Sequence, residues 1–282
     1  MARPHIEFIH AFDMPWTKGL YGGARNDVEH KLLSYDSENS EASVLVRYPA
    51  GWTRGEAEYL SADEEIYVLD GAIEINGRRY TRSAYAYFPA GHVRRTASSS
   101  GGAVALTFFS GEPRGAKGNP PAGLYDERRF IAWKSLFEEG WDADYSGVNS
   151  PEIAASGSRK KLLRTDPKTK DQTWLMGILP SYREKKVESH PVVQECYIID
   201  GELPGNYGLM LPGAYFWRPP EILHGPFGSK TGSIVLSRTK GGALTVDYYD
   251  LDEPHRFEPV HRPVVPPEFR MYAQAKRPRP RY

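Results

Sequence analysis

The chain has 282 residues, 40% of them hydrophobic, which is a globular composition and length enough for two domains of ordinary size. Lys+Arg and Asp+Glu both number 36, and a net charge of zero gives no electrostatic case for a nucleic acid or an anionic membrane as partner. The sequence has no long apolar run and no apolar N-terminal stretch, and its one cysteine, Cys196, excludes an intramolecular disulfide; no membrane span or secretory leader is expected, and the expected location is the cytoplasm.

Twenty-seven Gly and 23 Pro cut the sequence into short pieces. Between them, β-branched and aromatic runs predict strands over 42–48, 65–69, 72–76, 84–88 and 103–109. The Gly/Pro-rich stretch 111–123 predicts an interdomain loop with a boundary near residue 120. Residues 126–139, with Phe130, Trp133 and Phe137, read as an amphipathic linker helix. Strands follow over 173–179, 196–199, 208–211, 215–218 and 233–238. From Pro254 onward seven prolines predict extended chain wrapped on one domain, and Lys276, Arg277, Arg279 and Arg281 read as a solvated basic tail. Short strands with turn residues between them predict an all-β sandwich or barrel.

The chain also repeats itself. Tyr67-Val68-Leu69-Asp70-Gly71 returns as Tyr197-Ile198-Ile199-Asp200-Gly201, an offset of 197 − 67 = 130. The same offset carries Leu32-Leu33 onto Leu162-Leu163, Ala84-Tyr85 onto Ala214-Tyr215 and Pro89 onto Pro219. A register held this far without a gap implies two copies of one domain. The copies differ at chemically telling positions: Leu60 maps onto His190, Glu64 onto Gln194 and Arg94 onto His224. One copy keeps imidazoles where the other has none.

Glu188-x-His190-x3-Gln194-x6-Gly201 and Gly213-x5-Pro219-x-Glu221-x2-His224 resemble the two signature motifs of the cupin superfamily. The first half has the same skeleton in Glu64-x6-Gly71 and Ser83-x5-Pro89-x-Gly91-x2-Arg94. The resemblance implies a bicupin: two tandem double-stranded β-helix (jelly-roll) barrels joined by a short linker helix. The expected domains are residues 1–120, with degenerate metal ligands; 121–255, with the metal site; and 256–282, the Pro-rich basic tail.

The resemblance places a metal site on Glu188, His190, Gln194 and His224. Residues i and i+2 of a strand face one side, so positions 188 and 190 can point inward together. Glu188 stands where the family usually has His, and Gln194 where it usually has Glu. The zinc-dependent phosphomannose isomerases are similar in using Gln, His, Glu and His. The implied cofactor is one divalent metal in the C-terminal barrel: iron, zinc, manganese or nickel. The other reading has His190 and His224 lining a barrel that binds an organic ligand without metal. Trp217, Tyr215, Arg238 and Tyr182 are candidate substrate-binding residues. In the first half, Glu58, Glu64 and Arg94 form either a pocket for a small anion or an internal ion pair.

The resemblance implies a metal-dependent enzyme acting on a small organic molecule, foremost a dioxygenase. The alternatives are a non-redox isomerase, lyase or hydrolase, and a ligand-binding or regulatory bicupin without activity. A homodimer is the expected assembly.

Overall fold

The repeated Asp-Gly step shows why the two halves share a backbone. Gly71 and Gly201 both adopt positive φ, +69° and +75°. A Cβ at either would collide with a carbonyl oxygen, that of Gly102 in one copy and of Gly232 in the other. Only glycine fits, and the colliding residues are themselves 130 apart. The computed structural model describes residues 3–138, 140–141, 158–250 and 254–275.

The chain divides into two compact units: residues 14–139 with the first three, and residues 4–13 with 140–281. In the first unit a ten-stranded sheet runs, neighbour to neighbour, through Ile131–Ser135, Ala84–Phe88, Glu64–Ile75, Ala103–Phe109, Ala42–Tyr48, Glu29–Tyr35 and Thr17–Lys18, with Arg78–Thr81, Ala97–Ser99 and Trp52–Arg54 joined off this path. In the second, a six-stranded sheet runs through Ile6–His10, Ala214–Arg218, Val193–Gly201, Ser233–Lys240, Gln172–Ile178 and Arg159–Thr165. The pairings are antiparallel, and the architecture is all-β, of the cupin jelly-roll kind. Several strands match their counterparts end for end at the offset of 130, among them Ala84–Phe88 with Ala214–Arg218 and Ala42–Tyr48 with Gln172–Ile178. Each unit has its own apolar core. One gathers Val44, Val46, Ile66, Val68 and Phe88, the other Phe8, Ile198, Met210, Phe216 and Val235.

Three sequence expectations need correction. The linker helix over 126–139 is absent. Glu127–Arg129 form one 3-10 turn, capped by the Asp126 side chain, and Ile131–Ser135 is a strand paired with Ala84–Phe88. Phe130 and Trp133 still reach the first core, but from a sheet edge, while Phe137 is 78% exposed. An edge strand thus satisfied two-thirds of an apolar pattern that resembled a helix face. The boundary near residue 120 also moves. Gly115–Lys117 pairs with Glu58–Leu60, and the first unit extends to residue 139. Finally, the N-terminal segment does not belong with the first unit. Ile6–His10 pairs with Ala214–Arg218 in the second. The strand that precedes each repeat in sequence therefore completes the sheet of the other repeat.

The tail is extended over 254–266, where Val264 bridges Glu7, and then forms a 3-10 helix over Pro267–Tyr272. The basic residues at 276–281 lie outside the described residues. Among the described residues no helix is long and apolar enough to cross a membrane.

Candidate metal centre

Glu188 lies on the short strand Val187–Ser189, with His190 directly after it. His224 reaches the same place from another hairpin. It forms an isolated antiparallel bridge with Glu188, each N–H donating to the other's carbonyl at 2.9 Å. Neither imidazole is free to turn. Nδ1 of His190 donates to the carbonyl of Thr245 and Nδ1 of His224 to that of Ile222, both at 2.8 Å. A carbonyl can only accept, so Nδ1 carries the proton of each neutral ring and Nε2 presents a lone pair. Nε2 of His190, Nε2 of His224 and Oε2 of Glu188 are all buried without a hydrogen-bond partner. Oε1 of Glu188 is 3.2 Å from His224 Nε2 and 3.6 Å from His190 Nε2. One ligand atom from each residue lies within 4.8 Å of the others.

Burial controls the protonation states. It pushes His190 down to about 4, with Glu188 opposing and His224 assisting. It pushes His224 well below its ordinary value, and the nearby Arg218 charge adds to that. It raises the carboxyl of Glu188, against the pull of His190 and Arg218. Burial thus disfavours charge on all three groups, and two neutral imidazoles and one carboxyl group converge where buried polar atoms lack partners, an arrangement that costs free energy unless a cation completes it and holds Glu188 as the carboxylate. The donor set fits a divalent metal, and two imidazoles with one carboxylate leave coordination positions open for substrate.

Gln194 stands differently. It pairs across the sheet with Arg218, whose Nη1 donates to its Oε1. The oxygen expected to ligate a metal is already held by a guanidinium. Arg218 in turn grips Glu7 through Nε at 2.8 Å and through Nη2. Burial alone would raise the Glu7 carboxyl, but Arg218 and His5 more than offset it and hold it low. Glu7 and Arg218 are each 1% exposed, so this is a fully buried ion pair beside the centre. Sequence reasoning missed both residues. Arg218 is where the first half has Phe88, a substitution that the repeat alignment could have flagged.

A cavity opens from Glu188, His190 and Gln194 into the unit's core, with Trp174, Met176, Phe216, Phe227 and Val235 on its walls. Of the four expected substrate-binding residues, Tyr182 lines it, with its hydroxyl donated to Glu184 at 2.5 Å. Tyr215 and Arg238 do not reach it: both donate to Glu195, at 2.6 Å each. The register explains this. Cys196 faces Phe216 and Gln194 faces Arg218, whereas Glu195 faces Trp217 and Tyr197 faces Tyr215. Paired residues share a sheet face, so Tyr215 and Trp217 lie on the side away from the cavity. Cys196 lines the cavity, and burial pushes its thiol up to about 12.

In the first unit the equivalent residues do come together, but as an ion network. Arg94 donates to Glu64, and Arg25 grips the same carboxylate at 3.0 and 3.3 Å. Arg25 also approaches Glu58 at 3.7 Å. Burial raises Glu64, but the two guanidiniums outweigh it and hold the group at about 2. Glu58 and Arg94 form the same backbone bridge as Glu188 and His224. The first unit thus fills with fixed cations the place where the second presents empty lone pairs, and the anion pocket is not formed.

Fold and site together define an all-β protein of the cupin-like jelly-roll fold with a buried cluster that could hold a metal. The chain belongs to the family described as "Domain of unknown function (DUF4437)", whose model matches residues 7–245. No curated protein matches the sequence. Among solved structures it is similar to one from Nostoc punctiforme described as a "putative dioxygenase", with a TM-score of 0.75 and 17% identity, covering 89% of this chain and 92% of that one. It is also similar to a variant of Bacillus subtilis oxalate decarboxylase, with a TM-score of 0.53 and 14% identity, covering 86% of this chain and 79% of that one. A further structure of that enzyme, described by its Mn(II) centres, gives a TM-score of 0.53 and 13% identity, covering 86% and 79%. At these identities the likeness speaks for the fold.

Proposed function

We propose that this chain is a bicupin enzyme that holds one divalent metal on Glu188, His190 and His224 and acts on a small organic molecule, foremost as a dioxygenase. The observation that carries the reading is the convergence of three buried donor atoms that have no other partner. Two imidazoles and one carboxylate with open positions are the donor set of non-haem iron oxygenases. The similar Nostoc punctiforme structure bears a dioxygenase description, which supports the same reading. The matching strands and the repeated Glu58–Arg94 and Glu188–His224 bridges support two barrels, with the second retaining the site.

The chain's own residues would divide the work. The two imidazoles, fixed through Nδ1, and Glu188 would hold the cation; Glu7 neutralises Arg218, which in turn orients Gln194. The apolar walls exclude water. A bound redox-active ion would bring substrate and O₂ together, and a redox-inert one would polarise a substrate oxygen. The likeness to oxalate decarboxylase supports a second, lyase reading. Elemental analysis combined with an oxygen electrode separates the two. Iron at about one per chain with O₂ uptake on turnover supports the dioxygenase. Manganese or zinc with turnover but no O₂ uptake supports the lyase. A protein with no stoichiometric metal, even after incubation with Fe(II), Mn(II) or Zn(II), overturns both.

A further inference from the structure

The cavity beside the centre says what kind of molecule the site accepts, an inference that rests on the metal reading. Its walls are apolar, and the polar groups that touch them are mostly spent on one another. Cys196 donates to Ser237 at 3.2 Å. Tyr182 donates to Glu184, whose other oxygen accepts the backbone N–H of Phe227 at 2.8 Å. Arg218, the strongest nearby cation, is neutralised by Glu7. Beyond the metal-binding triad, the charged group on the cavity wall is Glu184, an anion, and no Lys or Arg lines the cavity among the described residues. One donor stands apart: Trp174 lines the cavity, is 1% exposed, and its Nε1 is buried without an acceptor. The cavity volume of ≈ 40 Å³ is room for about three waters, or a handful of heavy atoms.

We infer that the site takes a small substrate with one oxygen-bearing end at Glu188, His190 and His224 and an apolar, uncharged body, in which a single neutral oxygen accepts from the Trp174 indole N–H. A second charge in that body would be buried without a partner, which is strongly unfavourable. A dicarboxylate whose second carboxylate reaches into the cavity is therefore disfavoured.

Three probes of one shape test this: isovalerate, acetoacetate and malonate. Each has seven heavy atoms with a carboxylate at one end, and they differ only in the group at the other end, which is isopropyl, acetyl or a second carboxylate. Calorimetric titration of the Mn(II)-supplemented protein should rank acetoacetate first, isovalerate about fivefold weaker for want of one hydrogen bond, and malonate at least a further tenfold weaker. Trp174→Phe should abolish the preference for acetoacetate over isovalerate and leave metal content unchanged. If that variant does not fold, the ranking on the unmodified protein still decides. Malonate binding as tightly as isovalerate overturns the inference. Metal analysis of the same sample keeps the two readings apart. The expected ranking of acetoacetate, isovalerate and malonate obtained without any metal would sink the metal reading alone, and malonate preferred with metal present would sink this one alone.

Discussion

Glu188 and His224 are joined by a two-hydrogen-bond bridge that Glu58 and Arg94 reproduce 130 residues earlier. The backbone is the same, but the side chains it presents are not. In the second unit the bridge aims a carboxylate and a bare imidazole nitrogen at one another; in the first, Arg94 turns to Glu64. Metal content should therefore respond to one copy only. His190→Ala and His224→Ala should each reduce bound metal from about one per chain to near zero, and Glu58→Gln and Arg94→Gln should leave it unchanged. Elemental analysis of the four purified variants decides. Metal lost with the Arg94 change would contradict the asymmetry.

Gln194 offers a sharper test. Because Arg218 holds its Oε1, replacing it by Glu adds a carboxylate that the guanidinium captures first. Gln194→Glu should change Mn(II) affinity by less than about threefold, whereas Glu188→Gln, which removes the carboxylate of the triad, should weaken it more than tenfold. Calorimetric titration measures both. A tenfold tightening in Gln194→Glu would return Gln194 to the ligand set.

The Glu7–Arg218 pair should be expensive to break and cheap to replace. Glu7→Gln leaves a buried guanidinium without its counter-charge, a loss of about 3–5 kcal/mol for such pairs. Exchanging both partners for apolar residues, Glu7→Leu with Arg218→Met, should recover at least half of it. Urea unfolding of the single and double variants checks this, and a double variant weaker than the single would contradict it.

Acid sensitivity has an identifiable contributor in the first unit. His92 stacks on Phe130 at 4.6 Å between ring centroids, and burial, aided by the Arg94 charge, pushes its pKa down to about 4. Its folded-state value lies below its unfolded one, so the unfolded chain takes up a proton that the folded chain refuses. The contribution is fully present above about pH 6.5 and is lost as pH falls toward 4. His92→Phe keeps the stack and removes the titration. Its melting temperature should fall less between pH 6.5 and 4.5 than that of the unmodified protein, leaving His190 and His224 as titrating groups in that window. Parallel curves for the two proteins would count against His92.

Much of this was legible in the sequence because a strand's period is short and a repeat is its own control. The β-branched and aromatic runs marked the strands, and the resemblance to cupin motifs pointed to Glu188, His190 and His224, although it also counted Gln194, whose oxygen Arg218 holds. What escaped was everything set by partners far along the chain. The stretch around Phe130 and Trp133 has helix-like spacing, and nothing local reveals the edge of Ala84–Phe88 waiting to pair with it. Tyr215 and Arg238 looked like pocket residues until the register placed them with Glu195 on the opposite face. Glu7 had no motif around it; its meaning comes from Arg218, which lies 211 positions away.

That separation has a consequence for how the protein is made. The strand Ile6–His10 leaves the ribosome well before Ala214–Arg218, its partner, and can find its place only after that strand has been synthesised. Until then its five residues, all buried in the finished fold, must wait in solvent or in a chaperone's keeping. The second half expressed alone would lack an edge strand and would carry an unanswered guanidinium in its interior, so a strand translated before the first repeat is the one that completes the second.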